Sequence, residues 1–113
     1  MARERFEELV SDALDTVPAE LARLMDNCVV LVEEEPPDGG RHLLGLYHGT
    51  PLTSRGEGYT MTLPDQITIY RLPILAICSS ESDVVEQVRV TVVHEIAHHF
   101  GIDDTRLHDL GYG

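Results

Sequence analysis

Apolar residues fall at helical spacing near both ends of this chain and at strand spacing between them. Over residues 3–15, Phe6, Leu9, Val10, Ala13 and Leu14 recur three and four apart with acids on the other face, which predicts an amphipathic helix. Thr16, Val17 and Pro18 break it, and Pro18 restarts a shorter helix through Leu21, Leu24 and Met25. Residues 28–32 (CVVLV) are continuously apolar and β-branched at three positions, the pattern of a buried strand. Residues 33–40 (EEEPPDGG) read as a solvated turn or loop, and 43–47 as a second strand. Pro51, Gly56 and Gly58 mark 49–58 as loop. Residues 66–70 (QITIY) alternate polar and apolar, which predicts a strand with one wet face. The apolar stretch 72–78 carries Pro73 at a first turn, and a short helix is expected there.

Residues 84–100 set two readings against each other. Val88-Arg89-Val90-Thr91-Val92 alternates at period two and is β-branched, so local propensity favours a strand. These 17 residues carry no breaker, however, and Val84, Val88, Val92 and Ile96 form an unbroken i, i+4 stripe. Helix prevails on length and stripe, with candidate N-caps in residues 79–83. Gln87, Thr91, His94 and His98 then share one face, opposite most of the valines. Residues 103–110 add a short terminal turn or helix after Gly101. With no repeat and no linker, the pattern predicts one α+β domain spanning 1–113.

Composition narrows the function classes. The chain has 113 residues, 42% of them hydrophobic, and a formal net charge of −12. Such an acidic chain repels phosphate backbones and anionic lipid, so neither nucleic acid nor membrane is an expected partner. The N-terminus is charged where a signal peptide needs an apolar core, and no apolar run approaches membrane length; a cytoplasmic location is expected. Cys28 and Cys78 lie 50 positions apart without CxxC spacing and read as buried free thiols. All 8 basic residues are Arg, which carries no mechanistic information.

The chemistry is concentrated in residues 94–104, which read HExxHxxGxxD. On a helix, His94 and His98 stack on one face and both imidazoles reach one ion. Glu95 sits about 100° further round, placed to hold a metal-bound water without ligating the metal. Gly101 suits the left-handed residue that ends a helix, and the reversal brings Asp104 back as a third ligand. Three protein ligands and one open position describe a catalytic zinc, one Zn2+ per chain. The function expected is peptide-bond hydrolysis by a metal-activated water with Glu95 as general base.

Several residues compete for these roles. Asp103 competes with Asp104 but can instead cap the following turn, and the motif spacing favours Asp104; His108 is a rival third ligand from a terminal helix. His99 lies about 140° round the wheel from His94 and reads as a packed or surface histidine. Tyr59 and Tyr112 can donate a hydrogen bond at the site, while His42 and His48 carry no ligand spacing.

His94-Glu95-x-x-His98-x-x-Gly101-x-x-Asp104 resembles the Asp-zincin variant of the zincin metallopeptidases, as in snapalysin-like enzymes. With its short predicted strands, apolar segment 72–78 and ending RLHDLGYG, nearly the whole chain is similar to the small bacterial zincin-like metallopeptidases. The resemblance implies a minimal zincin-like core, a few helices and a small mixed sheet with the metal-site helix packed on it. It also implies His94, His98 and Asp104 as ligands and Glu95 as general base. The methionines are Met1, Met25 and Met61, so the methionine turn of metzincins has no counterpart after Asp104. The C-terminal tail, with Tyr112 between two glycines, is expected to fold back and floor the site instead. A peptide or protein substrate needs an edge strand for backbone pairing, and 66–70 is the candidate. A shallow groove leaves either weak specificity or completion by a second copy, a homodimer. A non-catalytic peptide- or protein-binding module is the alternative function.

Overall fold

Helix α1 spans Arg3–Leu14 and buries Phe6, Leu9, Val10 and Ala13, the stripe its spacing predicts. The computed structural model to which it belongs describes residues 1–26, 28–37, 39, 43–49, 64–103 and 105–106. After α1 the chain turns through Pro18 into the one-turn helix α2 (Ala19–Ala22), which continues as a 3-10 turn over Arg23–Met25. Strands β1 (Cys28–Glu33), β2 (Gly45–His48) and β3 (Asp65–Tyr70) follow, then helices α3 (Arg71–Ile77) and α4 (Glu81–His99). The fold is α+β, with four α-helices and a three-stranded mixed sheet among the described residues.

Helix α4 forms despite its β-branched run because its stripe has a core to fill. Val84, Val88, Val92, Val93 and Ile96 are buried against α1 and the sheet, and burying four or five such side chains outweighs a propensity deficit of a few tenths of a kcal/mol each. Its first turn is capped twice. Ser80 Oγ accepts the Asp83 N–H at 3.1 Å, and Asp83 Oδ2 accepts from the Ser79 N–H and hydroxyl at 3.0 and 2.8 Å. These donors, the Ser79 hydroxyl foremost, hold the Asp83 carboxyl below its ordinary range.

The sheet has order β1-β3-β2, with β1 parallel and β2 antiparallel to the central β3. This arrangement corrects three expectations. The strand at 66–70 is central rather than an edge, so β2 and β1 carry the edges among the described residues. It has no wet face beyond Gln66, because Ile67, Thr68, Ile69 and Tyr70 are all buried. Strand β1, read as buried, alternates instead: Val29 and Leu31 are 39% exposed on the face away from the helices. An apolar run cannot report which neighbours it will acquire, since strand pairing is non-local. Cys28 and Cys78 are free and half-buried rather than buried.

Ile67 and Ile69 point into the core with Phe6, Leu21, Ile74 and the α4 valines. The acidic loop after β1 has a structural use. Glu34 pairs with Arg71 at 2.9 Å and with Arg3 at 3.3 Å, tying the end of β1 to α3 and α1.

Candidate metal site and catalytic residues

Helix α4 carries His94, Glu95 and His98 in its last turns. Both imidazoles are exposed, Glu95 is half-buried, and neighbouring Ile96 and Ala97 are buried, so the helix turns its core face inward and its histidines out. Among the described residues neither His94 nor His98 has a hydrogen-bond or ion-pair partner. Two uncommitted imidazoles four residues apart on one helix fit two positions of a zinc ion. Among the described residues no three His, Cys, Asp or Glu side chains gather around one point. Asp104, the expected third ligand, lies outside them, as do His108, Tyr112, Tyr59 and His42.

The helix ends as its sequence requires. Gly101 adopts φ +73°, the Ile102 N–H donates to the Ala97 carbonyl at 2.7 Å, and the Gly101 N–H donates to the His98 carbonyl at 3.4 Å. This pair of bonds is a Schellman motif, and half-buried Ile102 packs back on the core beneath it. Asp103 then accepts the Arg106 N–H at 2.9 Å, so its carboxylate caps the next turn.

Strand β2 lies directly beside the Glu95 side of α4. The backbone N–H of Tyr47 donates to Glu95 Oε1 at 3.1 Å. That amide points outward because Tyr47 faces Ile67 at a position where the ladder bonds are carried by its neighbours Leu46 and His48. The Tyr47 ring stacks on His99 with centroids 3.9 Å apart and 20° between planes, and Phe100 meets it edge-on at 5.9 Å. Its hydroxyl donates to Asp65 Oδ2 at 2.7 Å. Burial first, and then the Asp65 carboxylate, push the Tyr47 phenol above its usual range; burial and the same carboxylate also raise the adjacent Cys28 thiol. His99 is an exposed histidine whose ring packs on Tyr47 and Phe100, within the packed or surface role that its wheel position indicated. Tyr47 was not identifiable from the sequence, where it is one aromatic residue at a strand end without motif spacing.

Between β2 and α4 runs a shallow groove of 220 Å³, walled by Leu43, Leu44 and Val90 and reaching His94 and Glu95. A larger hollow of 490 Å³ lies between α1 and β1, away from the motif, with the Arg3–Glu7 ion pair on its rim.

A family model described as zincin-like metallopeptidase matches residues 25–113. The chain belongs to that family. The zincin-like match takes in both edge strands, the groove and every motif residue, and leaves out α1 and α2. Among solved structures, a conserved hypothetical protein from T. thermophilus is similar: 28% identical, covering 88% of this chain and 94% of that one, with a TM-score of 0.59. No curated protein matches the chain. No helix among the described residues is long and apolar enough to cross a membrane.

Proposed function

We propose that this zincin-like protein is a zinc-dependent peptidase, with one zinc held by His94, His98 and Asp104 and with Glu95 as general base. The observation that carries the reading is the placement of Glu95. Its carboxylate stands at the outward edge of β2 and lines the groove together with exposed His94, with one oxygen held by the Tyr47 amide. Asp103 is engaged as a cap, which supports Asp104 over its neighbour for the third position.

Held by His94, His98 and Asp104, zinc would supply the polarisation of a peptide carbonyl and the acidification of a water. The protein's own groups do the rest. A substrate strand pairs with the outward carbonyl groups of Gly45 and Tyr47 and with the Gly45 amide on β2. Glu95 takes the water proton on the oxygen that Tyr47 does not hold, then returns it to the departing amine nitrogen. Leu43, Leu44 and Val90 give one substrate side chain an apolar resting place and exclude water from that side of the groove.

Glu95→Gln tests the reading, since the amide keeps the acceptor for Tyr47 and loses the base. The variant should bind zinc as the parent does and lose hydrolysis of a mixed peptide library by at least about 100-fold, the scale of general-base catalysis. Equal hydrolysis by both proteins removes Glu95 from the mechanism. Zinc bound to the parent without hydrolysis of any peptide favours the peptide-binding module, which has no use for a base.

A further inference from the structure

Helix α4 and strand β2 run beside each other in matched periods. Four helical residues advance about 6 Å and two strand residues about 6.7 Å, so an i, i+4 row on the helix keeps step with alternate strand positions. Thr91, Glu95 and His99 form that row, and Gly45, Tyr47 and Gly49 form the facing one. A Cβ at Gly45 would lie 2.7 Å from Thr91 Cγ2, and one at Gly49 would lie 2.9 Å from His99 Cε1. The two glycines therefore let the helix close onto the strand at either end, and Tyr47 fills the middle with its amide on Glu95 and its ring on His99.

We propose that Tyr47 is the positioning residue for Glu95: its side chain, clamped between Asp65 and His99, fixes the edge strand so that its own amide holds the carboxylate. The inference rests on Glu95 being the base of a peptidase. Strand β2 is short and pairs only with β3 among the described residues, so its ladder alone leaves the outer edge free to shift. The Tyr47 hydroxyl adds a bond across to Asp65 on β3, and the stack ties the same residue to the end of α4. Both ties meet at the residue whose N–H reaches Glu95. A carboxylate held by one oxygen presents the other in a fixed direction, the preorganisation a general base needs.

The test uses the full chain and two readouts. In metal-free protein, hydrogen exchange of the Tyr47 amide should be slow although it faces outward, and should become fast in Glu95→Ala. In zinc-loaded protein, Tyr47→Phe keeps the stack but loses the Asp65 bond, and kcat should fall by about tenfold, the low end for groups that orient a metal-site residue, with KM within about twofold. Asp65→Asn keeps an acceptor for the phenol and should retain most of the turnover, whereas Asp65→Ala should resemble Tyr47→Phe. An unchanged kcat in Tyr47→Phe, or a Tyr47 amide that exchanges equally fast in parent and Glu95→Ala, overturns the proposal. A parent that hydrolyses nothing defeats the peptidase reading instead, and the amide measurement then still decides whether the clamp exists.

Discussion

At the scale of single residues, the proposed ligand set gives neighbouring Asp103 and Asp104 different expected roles. Asp103 commits one oxygen to the Arg106 amide, which a cap does regardless of metal. Asp104→Ala should weaken zinc binding by at least about tenfold, because a lost ligand leaves two imidazoles to hold the ion. Asp103→Ala should lower stability by about 1 kcal/mol, a typical cap loss, and leave zinc affinity within about twofold. Competition titrations against a chelator measure both. Equal effects from the two substitutions, or a larger one from His108→Ala, contradict the ligand assignment. The tail is tested in the same assay: removing Tyr112 and Gly113 should loosen zinc and lower stability by about 1–3 kcal/mol if the Tyr112 ring floors the site.

Among the elements, α4 has its start, its end and its packing each fixed by one or two side chains. Gly101 sits at φ +73° with open space around it, so Gly101→Ala meets no clash and should cost only the left-handed strain, about 1–2 kcal/mol by chemical denaturation. Gly45→Ala should cost about 1–3 kcal/mol for a different reason, since its methyl would meet Thr91 at 2.7 Å and the Thr68 carbonyl oxygen at 3.0 Å. A neutral Gly45→Ala would mean that helix and strand do not approach as described. The N-terminal cap adds a pH dependence. The Asp83 carboxyl is depressed by Ser79, so its contribution is present above its ordinary value of 3.8 and is lost as pH falls through the lower folded value. Asp83→Asn should therefore flatten the acid limb of the stability curve below about pH 4. An acid limb of unchanged steepness would contradict that bond. These elements differ in how far the chain announces them. The α4 stripe, the Ser80 region and Gly101 are local signals, and residues within one helix decide them. The centrality of β3, the exposure of Val29 and Leu31, and the contact of Tyr47 with Glu95 depend on pairings across 18 to 48 positions, which periodicity does not encode.

For the whole molecule, the zincin-like fold among the described residues is four α-helices and a three-stranded sheet whose edge strand β2 reaches Glu95. The motif and the α+β class were legible because the motif is eleven consecutive residues and α4 carries His94, Glu95 and His98. The substrate-side wall was not, because β2 is only four residues long and its neighbours are set by the fold. A net charge of −12 on a chain this size favours cationic peptides near the groove, and hydrolysis of basic peptides should slow as ionic strength rises. The central claim is that one bound zinc turns this arrangement into a peptidase. Protein stripped by chelator and returned to zinc in steps should gain peptide hydrolysis in proportion to the metal added and level off at about one equivalent, as a three-ligand catalytic site requires. Hydrolysis by the stripped protein at the full rate, or saturation with zinc and no hydrolysis at any step, would contradict it.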